Sequence, residues 1–247
     1  MNTLSQTEVH TKFAEHPRPW VLSMVWHDLL FMHWPVPAAL LRPLLPDSLE
    51  IDSFEGTAWL GVVPFRMSDM HPRYLPALPW LSSFAEINLR TYVSVRGARG
   101  VWFFSLDAAN PLAVSIARAA FHLPYFTAKI TASSSGGQIH YASERSHRGA
   151  PPAGFRASYA GAGDNFKAAR GSLEYFLTER YCFFSADGRG SIWRTDISHD
   201  PWPLQPAEAE VAVNAMSRQI DVAFPDAPPL LYFAKRLKVL AWLPVRV

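Results

Sequence analysis

From Phe84 to Arg96 the chain alternates without a break, and that regularity limits what the rest can become. Ala85, Ile87, Leu89, Thr91, Val93 and Val95 fall on one side; Glu86, Asn88, Arg90, Tyr92, Ser94 and Arg96 fall on the other. Period 2 over this length specifies a strand with two chemically different faces. The run Val101-Trp102-Phe103-Phe104-Ser105-Leu106 is almost wholly apolar, the pattern of a strand buried on both faces. Arg96-Gly97-Ala98-Arg99-Gly100 reads as the hairpin turn between them. A polar strand face is ordinarily wet. Beside segments this apolar, however, Glu, Asn, Arg and Tyr in succession also read as the lining of an enclosed polar cavity.

A helix is expected next. Asn110 suits an N-cap and Pro111 the first helical position. Leu112, Ile116, Ala119, Ala120 and Phe121 recur at helical spacing before Pro124 ends the element. This helix carries Arg118, His122 and Tyr125 towards the polar strand face.

The remaining segments are short and punctuated, as 21 prolines in 247 residues require. Strands are expected over residues 21–36, 49–54, 57–67, 126–133, 138–145, 155–160, 182–185 and 191–197, with a short helix over 38–45. Residues 173–179 read as a helix capped by Ser172. Residues 230–247 alternate apolar and basic residues and are expected to close the sheet. Residues 206–217 read as a second amphipathic helix. The proline-rich tract from Asp69 to Leu81 reads as a loop covering a site. Residues 1–19 read as a polar tail, and 20–247 as one domain.

Composition excludes several classes. A net charge of +2 gives no electrostatic footprint for nucleic acid. No run approaches the roughly 18 apolar residues of a membrane span, and the first residues lack the apolar core of a signal peptide. The single cysteine, Cys182, allows no intrachain disulfide and indicates a reducing compartment. A soluble cytoplasmic protein is therefore expected, with a small-molecule ligand as partner and no nucleic acid or membrane. GxGxxG, P-loop, HExxH, CxxC and GxSxG motifs are all missing, so no cofactor and no metal are expected. His27 and His33 share a face if their segment is extended, but about 20 Å separates them, too far for one metal. His33 reads as a packed histidine and Cys182 as an inert buried thiol. Glu179-Arg180-Tyr181 reads as a helix-to-strand junction, with a ligand contact by Arg180 as the sharper alternative.

Several long segments resemble one family. They are Ala58-Trp59-Leu60-Gly61-Val62-Val63-Pro64-Phe65, Glu86-Ile87-Asn88-Leu89-Arg90-Thr91-Tyr92-Val93, residues 100–108, Phe121-His122-Leu123-Pro124-Tyr125 and Leu177-Thr178-Glu179-Arg180-Tyr181-Cys182. Together they resemble the YqjF-like family of uncharacterised bacterial proteins, itself similar in fold to acetoacetate decarboxylase. The resemblance implies a mainly β (α+β) fold, part antiparallel barrel and part sandwich, around an internal cavity, with a few short helices. It also implies a site. Phe84-Ala85-Glu86 falls where the decarboxylase has a tyrosine, a small residue and an active-site glutamate. The stretch from Ala117 to Phe126 is similar to one that ends, in the decarboxylase, in two adjacent lysines, the first of which forms a Schiff base. Arg118 and Pro124 match, but the lysine positions hold Tyr125 and Phe126, which cannot form an imine. Schiff-base decarboxylation is therefore not expected.

The expected catalytic residues are Glu86 as acid or base, Tyr125 as hydrogen-bond donor and Arg118 as anchor for an anionic oxygen. The expected substrate-binding residues are His27, Asn88, Arg90, Trp102 and Phe104; His27 falls near an arginine that contacts substrate in the decarboxylase. Three functions remain open. The chain is an enzyme acting by proton transfer, hydration or dehydration on a small carbonyl or carboxylate compound, a non-catalytic binder using the same cavity, or a scaffold or homo-oligomer with a filled core. Glu86 enclosed within reach of Tyr125 or Arg118 favours the first; a solvent-facing Glu86 excludes it.

Overall fold

The computed structural model describes residues 16–78 and 80–247. Thirteen strands are seen among them: β1 (Leu22–Val36), β2 (Glu50–Ile51), β3 (Ala58–Pro72), β4 (Phe84–Val95), β5 (Ala98–Ala108), β6 (Tyr125–Ser135), β7 (Gln138–Arg145), β8 (Gly154–Gly161), β9 (Cys182–Ala186), β10 (Ile192–His199), β11 (Leu204–Asn214), β12 (Leu230–Ala241) and β13 (Val245–Arg246). Three short helices accompany them: α1 (Ala38–Leu41), α2 (Pro111–Phe121) and α3 (Leu173–Thr178). None of the described helices is long and apolar enough to cross a membrane.

The strands form one sheet in the order β13-β10-β9-β5-β6-β7-β8-β11-β12-β1-β3-β4-β2, with β10 also paired to β12 and β5 to β4. These extra pairings close two circuits that share strands. One runs through β1, β3, β4, β5, β9, β10 and β12. The other takes in β6, β7, β8 and β11. Pairing is antiparallel except where β5 meets β6 and β9.

The alternation in β4 is realised with both faces buried. Ile87 and Leu89 enter a filled core with Leu30, Met32, Leu60, Tyr141, Phe155 and Tyr159. The opposite face, with Glu86, Asn88 and Tyr92, is also buried, because the smaller circuit encloses it. The turn into β5 places Arg96 and Gly97 at φ 50° and 80°, the left-handed pair of a two-residue hairpin. Asn110 Oδ1 accepts from the amides of Leu112 and Ala113 at 3.1 Å each, and so starts α2.

Close approach of β5 to β9 fixes another position. A Cβ on Gly100 would lie 2.8 Å from the backbone oxygen of Cys182. Gly100→Ala is therefore expected to destabilise the protein by about 1–3 kcal/mol in urea denaturation. An unchanged midpoint would show that these strands can separate freely.

Four expectations need correction. Residues 206–217 are not a helix: β11 pairs with β8 and β12. Ala and Glu favour helix locally, but the period of 2 in Ala207-Glu208-Ala209-Glu210 fits the sheet and wins. The tract from Asp69 is not all loop, since β3 runs on to Pro72 and the Met70 amide donates to Ser82 O at 3.2 Å. Trp102, Phe103 and Phe104 are not fully buried but half-buried, because hollows lie on both sides of β5. His27 and His33 do not share a face, because Asp28 at φ 53° breaks the alternation of β1. The polar tail lies mostly outside the described residues. Its end is held: Trp242 Nε1 donates to Arg18 O at 2.7 Å, and the His16 ring lies 4.4 Å from that of Trp242.

Candidate functional site

The smaller circuit encloses a cavity of about 240 Å³, and each of its seven strands contributes to the wall. Met24, Phe65, Glu86, Phe103, Phe183, Ile197 and Ala241 represent them, and Ala113, Ile116 and Ala117 of α2 cover one side. Strand register supplies a depth scale. Leu22 stands opposite both Ala241 and Pro72, and Phe84 stands opposite Met67, which in turn is opposite Trp26. Arg90, six residues from Phe84, lies about 20 Å further along β4, with Glu86 and Asn88 between.

Glu86 is 2% exposed, and Tyr125 Oη donates to its Oε2 at 2.8 Å. Burial pushes the carboxyl pKa up to about 8, with a smaller push from the Asp107 charge and an opposing pull from the Tyr125 hydrogen bond. Burial likewise holds the Tyr125 phenol well above its usual range. At neutral pH the pair is therefore uncharged. Tyr125 occupies Oε2, which leaves Oε1 to carry the carboxyl proton as a hydrogen-bond donor.

The deep end is cationic. Arg90 Nη2 reaches Leu177 O at 3.3 Å and Tyr92 Oη at 3.4 Å, and its guanidinium lies 5.4 Å from the centre of the Phe31 ring. Among the described residues Arg90 forms no ion pair, and its Nε is buried without a hydrogen-bond partner. Arg180 pairs with Asp52 at 2.6 Å and donates to Phe176 O at 2.7 Å, but its Nη2 is buried and unpartnered. Arg99 claims the same Asp52 at 2.7 Å. One carboxylate thus serves two guanidinium groups, and a third stands beside them. Asn88 Oδ1, Trp26 Nε1 and Trp202 Nε1 are also buried without partners, and all three residues line the cavity.

Of the expected site residues, the structure brings Glu86, Tyr125, Asn88 and Arg90 together in this cavity. It places four elsewhere. Arg118 Nη1 donates to the Tyr125 carbonyl at 2.7 Å, outside the wall through which the Tyr125 side chain points inward. Arg118 borders an outer cleft of about 500 Å³ with Trp102, Phe104 and Phe126. Trp102 and Phe104 face that cleft because of a β-bulge: Leu89 pairs with Ser105 and Arg90 with Phe103, which leaves Phe104 as the extra residue. The wall is therefore built from Leu106 above the bulge and from Phe103 and Val101 below it. His27 Nε2 binds Ser68 Oγ at 2.8 Å and does not line the cavity; burial, reinforced by the Arg66 charge, lowers its pKa. His33 packs beneath the cavity with Nε2 2.7 Å from Tyr92 Oη.

Arg180, Thr178, His199, Trp26 and Trp202 complete the wall. Sequence named Arg180 as a ligand contact, and Thr178 falls in the same resembling segment. The segment His199-Asp200-Pro201-Trp202-Pro203 reads from sequence as a rigid turn, and Trp26 arrives through long-range pairing. His199 is kept neutral by burial and is held by Asp200 O at 2.7 Å. Cys182 lines the wall as a thiol, its pKa pushed up to about 11 by burial.

Solved structures share this architecture. An acetoacetate decarboxylase-like enzyme from Sphingomonas wittichii RW1 superposes with a TM-score of 0.65 at 14% identity, over 93% of this chain and 94% of that one. A structure of acetoacetate decarboxylase gives 0.64 at 12% identity, over 94% and 90%. The enduracididine biosynthesis enzyme MppR, complexed with pyruvate, gives 0.64 at 10% identity, over 93% and 91%. At such identities the likeness is one of fold: the chain has an acetoacetate decarboxylase-like fold. Within that class the chain belongs to the family DUF2071, described as an uncharacterized conserved protein, whose model matches residues 23–238. It is 43% identical over 223 residues to the uncharacterized protein YqjF of Bacillus subtilis (strain 168), across 90% of this chain and 91% of that protein.

Proposed function

We propose that the cavity binds a small carbonyl or carboxylate compound and that Glu86, assisted by Tyr125, is its acid–base group. The carrying observation is a carboxyl enclosed in a cavity wall, its pKa pushed up to about 8 by burial, and hydrogen-bonded to the Tyr125 phenol at 2.8 Å. No lysine lines the cavity, so imine chemistry lacks its nucleophile. Proton transfer remains. Glu86 gives its proton to a bound carbonyl oxygen, which makes the adjacent C–H acidic. The carboxylate so formed, stabilised by the Tyr125 hydroxyl, takes the carbon-bound proton. Keto and enol forms interconvert and Glu86 returns to its starting state. The same groups suit addition or loss of water at the carbonyl. The lone cysteine, buried and without a disulfide, supports a cytoplasmic setting.

Deuterium exchange tests this reading. Pyruvate, levulinate and butanone, which differ in the spacing of carbonyl and carboxylate, are incubated in D2O and followed by proton NMR. At least one is expected to lose its α-protons faster than in buffer, and Glu86→Gln is expected to slow that loss by about 10²–10⁴-fold. Exchange at the buffer rate for all three would refute the acid–base role.

A further inference from the structure

The wall is chemically graded along its depth. Near the mouth it consists of Leu22, Met24, Met67, Met70, Leu81 and Phe84, with no charged group. At the far end stand Arg90 and Arg180, each with a buried N–H that lacks an acceptor; Asn88, one step nearer the mouth, carries an unpartnered Oδ1, which calls for a donor. Arg180 is 7% exposed, whereas Arg90 is half-buried and forms no ion pair among the described residues. A buried guanidinium nitrogen without an acceptor is costly, and here Asp52 is already shared. What the far end lacks is an anion, and what the near half offers is apolar contact.

We infer that the ligand is an amphipathic monocarboxylate, its carboxylate on Arg90 and Arg180 and its apolar chain running towards the mouth. The inference rests on reading the cavity as a ligand site and adds the class of ligand. A volume of about 240 Å³ holds about eight water-sized groups, the size of a medium-length chain. The apolar surface continues outside. Ile116, which lines the cavity, is 49% exposed, and Trp80, whose carbonyl accepts from Asn110 Nδ2 at 2.9 Å, is 65% exposed. The tail of a longer chain therefore meets an apolar rim. Glu86 stands about 13 Å along β4 from Arg90, so it faces the chain of such a ligand and not its carboxylate.

Isothermal titration calorimetry at pH 7 with octanoate, butyrate and octan-1-ol tests this on the whole protein. Octanoate is expected to bind at least about tenfold more tightly than butyrate, since its extra methylenes become buried. It is also expected to bind at least about tenfold more tightly than octan-1-ol, which lacks the charge. Arg90→Met, which retains an apolar stem and strands no carboxylate, is expected to reduce the preference for octanoate over octan-1-ol, with Arg180 left as the remaining anchor. Equal binding of octanoate and butyrate by the wild-type protein would overturn the inference even if the variant failed to fold. So would an unchanged preference in a folded Arg90→Met. Octanoate binding without ketone exchange would sink the acid–base role and leave the ligand class standing. Ketone exchange without preference for octanoate would do the reverse.

Discussion

Glu86→Gln gains stability relative to the wild-type protein as pH rises from about 4.5 to about 8, by on the order of 5 kcal/mol in total. The sign follows from proton counting. The folded carboxyl keeps its proton up to about pH 8, whereas an unfolded one loses it near 4.5. Between those values the native state binds more protons than the unfolded state, so each rise in pH favours unfolding. Below about 4.5 the stabilisation is fully present; above about 8 it is gone. Glutamine has no proton to lose and still accepts from Tyr125, so the variant lacks this slope. Urea denaturation of both proteins at pH 4.5, 6, 7.5 and 9 reads the difference directly. A difference that did not change with pH would mean that Glu86 titrates as an exposed carboxyl and that the cavity is wet.

Arg145→Met is expected to remove about 3–5 kcal/mol of stability at pH 7. Arg145 and Asp107 join β7 to β5 through two contacts, at 2.6 and 2.9 Å, and both side chains are inaccessible, at 1% and 0% exposure. Arg145 also donates to Gln219 Oε1 at 2.9 Å and Pro151 O at 3.1 Å. Without it, Asp107 keeps a buried charge or takes up a proton. Burial already holds its carboxyl above the usual range, and Arg145 is the main influence opposing that. Loss of the arginine therefore raises the Asp107 pKa further. The destabilisation should be smallest in acid, where Asp107 is protonated in both states, and should grow as pH rises. Asp107→Asn in the same chain is expected to restore part of the loss. Stability within 1 kcal/mol of wild type for Arg145→Met would show that water reaches this pair.

How much of this was legible in the sequence depended on whether a signal was local. The two faces of β4 were, because alternation from Glu86 to Val95 needs no distant partner. The start of α2 was, because Asn110 and Pro111 act on the next three residues. The missing lysines were, because they are an identity at two positions. Side-chain direction beyond a bulge was not. Phe104 and Asp28 each shift the parity of a strand, and a one-residue shift turns every later side chain to the opposite face. Trp102 and Phe104 thereby left the site, and His27 was separated from His33. Trp26 and Trp202 reach the cavity through pairings between segments far apart in the chain, for which no local pattern exists. At residues 207–210 two local signals competed, helix propensity against alternation, and the neighbouring strands decided.

The double burial of β4 divides its positions between two kinds of inheritance. Ile87 and Leu89 are wedged among large side chains on every side, so descent can replace them only with residues of similar volume. Glu86, Asn88 and Arg90 border space, where a change of size or charge disturbs few neighbours. One strand therefore carries a conservative half that preserves the outline and a permissive half free to take on new chemistry. A strand built this way can exchange a reactive group for an inert one without losing its outline, and the same architecture recurs in a solved structure only 10% identical.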